Sequence, residues 1–321
     1  MKIRIALAAL AFAASSALAQ TFPSKAVTIV VPFTAGGPTD TVARSLAQAM
    51  GKHLGQSVIV ENVGGAGGTV GAGRVKNASP DGYTLLLHHI GMSTAPALYR
   101  KLQYNPLTDF EHVGLVVDVP MTLIARTDLA PKDFRELVAF LKQQKDKINL
   151  ANAGIGSASH LCGLLFMSAI ETDLTTVPFK GTADAMNAIL GKQVDVLCDQ
   201  TTNTTAQIKA GSVKAYAVTS AARVPTLPDL PTMQEAGLKG FEVGIWHGLY
   251  APKGTPKAVL DKLNAALVAA AKEPDFVKRM SDLGATVYSA DKMTPAAHAA
   301  HLKAEIDKWG PVIRKAGQYA D

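Results

Sequence analysis

Short β-branched or leucine-rich runs, each bounded by turn residues, alternate along this chain with longer segments of helical periodicity. Such runs fall at 27–31, 58–60, 83–87 and 115–117. Helical patterns fill the gaps between the first three. Over 40–54, for example, Val42, Leu46, Ala49, Met50 and Leu54 share one face. The alternation resumes with a strand at 121–125, a helix over 134–144, a strand at 148–151 and a helix over 161–170. A strand at 175–179, a helix over 183–190 and strands at 194–198 and 215–219 close the series. Strand and helix alternating at this spacing build parallel sheets covered by helices, so the expected class is α/β.

The tail is different. Residues 224–231 form a proline-rich loop, and Thr232-x-x-Glu235 reads as a capping box opening a short helix. One more strand is expected at 244–250. Thr255-Pro256 and Thr294-Pro295 each set a cap and an N1 proline ahead of a long helical pattern. A helical tail after a late strand packs back on the first domain, and 321 residues suffice for two domains. The chain then crosses between domains near 116–120 and 242–248. That gives one domain from 20–118 plus 247–321 and a second from 119–246.

The N-terminus carries Lys2 and Arg4, an apolar run over 5–14, and Ala17-Leu18-Ala19. These are the three regions of a cleavable secretory signal peptide over 1–19. Its apolar run is shorter than the roughly 20 residues a membrane span needs. The only cysteines are Cys162 and Cys198, so the cysteine of a lipoprotein leader is missing. The expected product is soluble and unanchored, periplasmic in a bacterium. Cys162 and Cys198 fall in the same domain of an oxidising compartment. They form either a disulfide or two small buried hydrophobes, a choice that depends on geometry. The formal charge of +6 comes from scattered residues without a basic stripe, so no nucleic-acid partner is indicated. A mild positive excess suits an anionic ligand without demanding one.

Two glycine turns follow strands and open helices: Pro32-Phe33-Thr34-Ala35-Gly36-Gly37-Pro38-Thr39-Asp40 and Ala153-Gly154-Ile155-Gly156-Ser157-Ala158-Ser159-His160. Ligands of open α/β sheets sit beyond the carboxyl ends of strands. Glycine admits close backbone approach, and a helix N-terminus offers unpaired N–H groups and partial positive charge. Thr34, Thr39, Ser157 and Ser159 add hydroxyls. One such turn is as well explained by an ordinary helix cap, but two, one in each domain, point to an anion held between them. Asp40 reads as a cap or ion-pair residue, because it would repel an anion. A third cluster, Gly64-Gly65-Ala66-Gly67-Gly68, fails the dinucleotide fingerprint at Val70, and the Gly154-Gly156 turn fails it at Ser159. No cofactor is expected. His298-x-x-His301 has helical spacing for a metal, yet nothing completes the ligand set, and it reads as a surface helix.

Further motifs fall in a fixed order. Val60-Glu61-Asn62 precedes the third glycine cluster, and Pro80-Asp81-Gly82-Tyr83-Thr84-Leu85-Leu86 follows it. Next come Gly156-Ser157-x-x-His160-Leu161, Pro178-Phe179-Lys180-Gly181 and Leu230-Pro231-Thr232-x-x-Glu235-Ala236-Gly237. Trp246-x-Gly248-Leu249-Tyr250-Ala251-Pro252-x-Gly254-Thr255-Pro256 completes the set. With the first turn, this order resembles the Bug family, the periplasmic solute-binding proteins of tripartite tricarboxylate transporters. Phe179 departs from the pattern, standing where tyrosine is usual. The resemblance implies a two-domain periplasmic-binding-protein fold, a type II-like Venus flytrap with two interdomain crossings. It also implies that the two turns grip one carboxylate through backbone N–H groups, small hydroxyls and bridging water. The loaded protein would then dock on a membrane permease.

The expected binding set is Phe33, Thr34, Ala35, Gly36, Gly37 and Thr39 of the first turn with Gly156, Ser157, Ser159 and His160 of the second. His88 at a strand end, Asn203 after another, and Trp246 and His247 on the late crossing strand complete it. An aromatic at 246 suits a ligand with an apolar body, which favours an aromatic or medium-length dicarboxylate such as terephthalate. The function expected is transport-linked capture by a monomeric clamp whose closed form the ligand stabilises. A ligand-sensing binding protein is the alternative that keeps the clamp. A serine hydrolase is disfavoured, since Gly156-Ser157-Ala158-Ser159-His160 lacks the nucleophile-elbow pattern and adjacent positions do not make a triad.

Overall fold

The computed structural model describes residues 22–317, 319 and 320, so the leader at 1–19 lies outside the described residues. Strands β1 (Val27–Val31), β2 (Val58–Asn62) and β3 (Thr84–His89) pair in parallel in the order β2-β1-β3. Helix α1 (Pro38–Leu54) links the first two. It starts on Pro38, is stopped by Gly55 in the left-handed region, and buries Val42, Leu46, Ala49, Met50 and Leu54. That burial follows the 3.6-residue period of the sequence. Helix α2 (Thr69–Lys76) leads to β3 and α3 (Gly91–Leu98) leads away from it.

The expectation of purely parallel sheets is corrected by β4. Residues expected as two strands form one, Phe110–Ala125. Its first part pairs antiparallel with β9 (Gly244–Pro252), and β9 pairs antiparallel with β3. Its last part, from Met121 on, pairs antiparallel with β7 (Val196–Gln200) on one side and β8 (Lys214–Val218) on the other. Strands β5 (Asn149–Asn152) and β6 (Thr175–Pro178) extend this second sheet in parallel. The change of partner occurs at Pro120, opposite Gly244. Proline cannot donate to a ladder, and the next N–H, that of Met121, goes instead to the Thr219 hydroxyl at 3.0 Å. Pro120 breaks the sequence pattern into two runs without breaking the strand.

Helices α4 (Phe134–Gln144), α5 (Ala158–Ala169), α6 (Thr182–Leu190) and α7 (Thr201–Lys209) belong to the second sheet. The tail returns to the first as α8 (Lys257–Ala270), α9 (Pro274–Asp282), the short β10 (Thr286–Val287) on β4, and α10 (Pro295–Ala316). The capping box forms, with Thr232 N–H on Glu235 at 2.8 Å and Glu235 N–H on the Thr232 hydroxyl at 3.0 Å. It closes turns rather than the expected helix. Cys162 of α5 and Cys198 of β7, both fully buried, form a disulfide with Cα atoms 6.1 Å apart. His298 of α10 is fully buried between His112 and Tyr250, so the surface-helix reading of that segment is wrong there. The remaining helical pattern had hidden a buried seam.

Candidate functional site

Both glycine turns are folded by their own side chains. In the first, Asp40 Oδ2 accepts the Gly36 N–H at 2.9 Å and Arg44 Nε at 2.8 Å, while Oδ1 accepts Asn62 Nδ2 at 2.9 Å. Burial opposes the Asp40 charge, but the Arg44, Gly36 and Asn62 donors outweigh it and hold the carboxyl below its usual range. Asp40 is thus the scaffold of the turn, as its repulsion for anions suggested. In the second turn, Asn152 Oδ1 accepts the Gly154 N–H at 2.8 Å, and Gly154 and Gly156 both take positive φ. The Ser157 hydroxyl caps α5 by accepting the His160 N–H at 3.2 Å. Ser159 Oγ accepts the Ala153 N–H at 2.8 Å and lies 3.1 Å from Ser157 Oγ. The Gly156 N–H points to His160 Nδ1 at 3.4 Å.

The turns face each other across one cavity. Phe33, Pro38 and Thr39 line it from the first turn, and Ser157 and Ser159 from the second. His89, Thr182, Asp199 and Gln200 complete the wall. The space open to the centre of a water-sized sphere is about 10 Å³, room for about one water molecule. Among the described residues the lining holds no lysine or arginine.

The other expected site residues fall into layers. Gly36, Gly37 and Gly156 shape the turns, and Ala35 is exposed. Thr34 presses against Gly181 at the start of α6, its buried hydroxyl without a partner. His89, not His88, reaches the cavity; His88 packs edge-on beneath Phe33, ring centroids 5.6 Å apart. His247 supports the floor, with Nε2 3.3 Å from the Thr39 hydroxyl and its ring 5.8 Å from that of His89. Burial holds all three histidines neutral, His88 at about 3 and His247 at about 4, with His89 also well below the ordinary value. Asn203 donates to Asp199 Oδ2 at 2.6 Å, one layer behind the wall. Trp246 lies on the opposite face of β9, donating to Glu305 of α10 and packed on His301, where it serves the core.

Several residues that sequence reasoning did not single out join the two sheets around this cavity. Thr94 of α3 donates to the Gly156 carbonyl at 2.8 Å. The Tyr99 hydroxyl lies 2.7 Å from the carbonyls of both Ala66 and Ile155. Any side chain at Gly67 would run into the Ile155 carbonyl, and any at Gly181 into Thr34. The glycine cluster that failed as a nucleotide loop is therefore a contact surface for the opposite turn. Its glycine run was the available signal; Asp199 and Thr182 offered none beyond their places at strand and helix ends.

Comparison with known proteins supplies the family. Residues 42–318 match the model of the tripartite tricarboxylate transporter family receptor. The chain belongs to this receptor family. A solved structure of the periplasmic binding protein BugD is 58% identical and superposes with a TM-score of 0.92, covering 94% of this chain and all of that one. MatC from Rhodopseudomonas palustris, solved with bound malate, is 45% identical with a TM-score of 0.88, covering 91% and 100% of the two chains. A UPF0065 protein from Agrobacterium vitis is 51% identical over 297 residues, 92% of this chain and 86% of its own length. The Bug resemblance is confirmed, and with it the two-domain periplasmic-binding-protein fold. This receptor is a periplasmic solute-binding protein.

Proposed function

We propose that this receptor captures a short aliphatic dicarboxylate between its two glycine turns in the periplasm and delivers it to the permease of a tripartite transporter. The observation that carries the reading is the single cavity shared by Thr39, Ser157, Ser159 and Thr182, each contributing a small hydroxyl. Such donors stabilise a carboxylate without a counter-charge. Malate binding by MatC supports a four-carbon acid. The aromatic preference inferred from Trp246 loses its basis, because that ring is packed on α10. With room for about one water, the cavity as it stands is too small for a dicarboxylate, so the loaded form is less tightly closed than this one. The lobes we assign are 20–118 plus 247–321 and 119–246, a division supported by the change of strand partners at Pro120, opposite Gly244. Among the described residues no helix is long and apolar enough to cross a membrane. Together with the leader at 1–19, this supports a mature protein that is free in the periplasm. Thermal-shift and calorimetric screening against aliphatic, aromatic and tricarboxylic acids tests the reading. A melting temperature raised by malate or succinate and left unmoved by terephthalate is expected. A preference for terephthalate overturns the aliphatic assignment, and no response to any acid overturns carboxylate capture.

A further inference from the structure

Asp199 is out of place in a site for anions. It stands near the end of β7, is fully buried, and lines the same cavity as Thr39 and Ser157. Its Oδ1 accepts the Gln200 N–H at 2.8 Å and its Oδ2 accepts Asn203 Nδ2 at 2.6 Å, with the Thr182 hydroxyl a third partner. All three partners are neutral.

The titratable groups on the elements around it are few. His89 comes from β3 and lines the cavity, and His247 from β9 stands behind it. His160 comes from α5, and Asp40 from α1 is tied to Arg44. Strand β4 presents Thr122 opposite Asp199. Burial keeps His89 and His247 neutral, so neither supplies a countercharge.

We propose that Asp199 enters the carboxylate-loaded, closed site as a neutral acid, so that the protein takes up one proton from solvent for each dicarboxylate it closes on. The inference rests on the carboxylate reading of the cavity. Two carboxylates confined in one desolvated site do not both ionise without large cost. Burial outweighs the Asn203, Gln200 and Thr182 hydrogen bonds and already raises Asp199 to about 6, and a ligand anion beside it raises it further. With the domains parted and water admitted, the same group titrates as an ordinary aspartate near about 4. Closure at neutral pH therefore draws in a proton, which the Asp199 hydroxyl then donates to the ligand. A ligand carrying an ammonium group at this point would reverse the effect, pairing with ionised Asp199.

The test is calorimetric titration of the whole protein with malate at pH 6, 7 and 8, each in two buffers of different ionisation enthalpy, repeated on Asp199→Asn. Over this range malate is a dianion, so its own titration contributes little. The wild-type heat at pH 7 should differ between buffers by an amount corresponding to about one proton taken up. The Kd should rise about tenfold per pH unit until the loaded-state pKa is passed. Asp199→Asn should show neither effect and should bind malate more tightly than wild type at pH 8. Buffer-independent heat in the wild type, or a pH slope that survives in Asp199→Asn, overturns the proposal while leaving the carboxylate reading intact. Absence of malate, succinate and adipate binding at pH 6 overturns both. Because the buffer comparison uses only wild-type protein, it decides the matter even where the variant fails to fold.

Discussion

Ser157 does two jobs with one hydroxyl. It caps α5 through the His160 N–H and lines the cavity beside Ser159. Ser157→Ala should weaken malate binding about tenfold, from the loss of about one net hydrogen bond near an anion. It should also lower stability by about 1 kcal/mol as an N-cap loss. Calorimetry and denaturant melts read the two effects separately. Tyr99→Phe removes a hydroxyl that reaches Ile155 from the other domain while leaving the ring in place. It should raise the malate dissociation rate several-fold with little change in melting temperature, since the bond exists only when the domains meet. Stopped-flow measurement of dissociation checks it. At this scale the sequence was readable where one residue's role was local. Ser157 as a cap and Asp40 as a scaffold follow from their own neighbours. Tyr99 acts through carbonyls more than 30 residues away, and Asp199 meets Thr39 and Ser157 only across the cavity; no local pattern encodes such contacts. His88 and His89 end one strand with ring centroids 4.9 Å apart, both packed against Phe33, and pattern alone does not say which of them lines the cavity.

Among the elements, β4 and the α5–β7 pair carry the site. The disulfide from Cys162 to Cys198 ties the helix that begins at Ser157 to the strand that ends beside Asp199. Closing a loop of 36 residues stabilises by about 4 kcal/mol in the chain-entropy account. The Cys162→Ala, Cys198→Ala double variant should therefore unfold at lower denaturant, by about 2–4 kcal/mol, with the two melting curves compared under identical buffer. An unchanged midpoint would mean that the bridge does not form in solution. The sequence placed both cysteines in one domain but not within reach, because pairing depends on where α5 lands on the sheet. It likewise placed the two runs of β4 and missed their union, since Pro120 looks like a break and lies within one continuous strand.

The whole molecule buries histidine heavily. His88, His89 and His247 sit beneath the cavity, and His112, His298 and His301 lie along the α10 seam. Burial lowers all six below the ordinary value. The unfolded chain takes up these protons near pH 6.5 while the native protein refuses them, so stability is full above that pH and falls as pH drops through it. Each histidine costs about 1.4 kcal/mol per pH unit until its native value is reached. Asp118, raised to about 6 by burial, acts oppositely between about 4 and 6 and offsets part of the loss. Thermal melts should thus show a marked drop in stability from pH 7 to pH 5. His298, whose two ring nitrogens lack partners, should contribute to that slope; His298→Leu should flatten it. The α/β class and the two-domain fold were legible because strand-helix alternation is periodic and local. The buried histidine seam was not, because α10 carries a helical pattern whose inner face is set only by the strands it meets.

The central claim is that ligand is held by closure of one domain on the other. Gly181 isolates it. Its backbone is extended, at φ −173°, so any residue fits its local conformation. The nearest atoms that a side chain there meets are those of Thr34 in the opposite domain. Titration of Gly181→Val with malate, beside wild type at equal melting temperature, should show binding weakened more than about 100-fold, since closure then requires displacing backbone. Wild-type affinity in that variant would contradict the clamp.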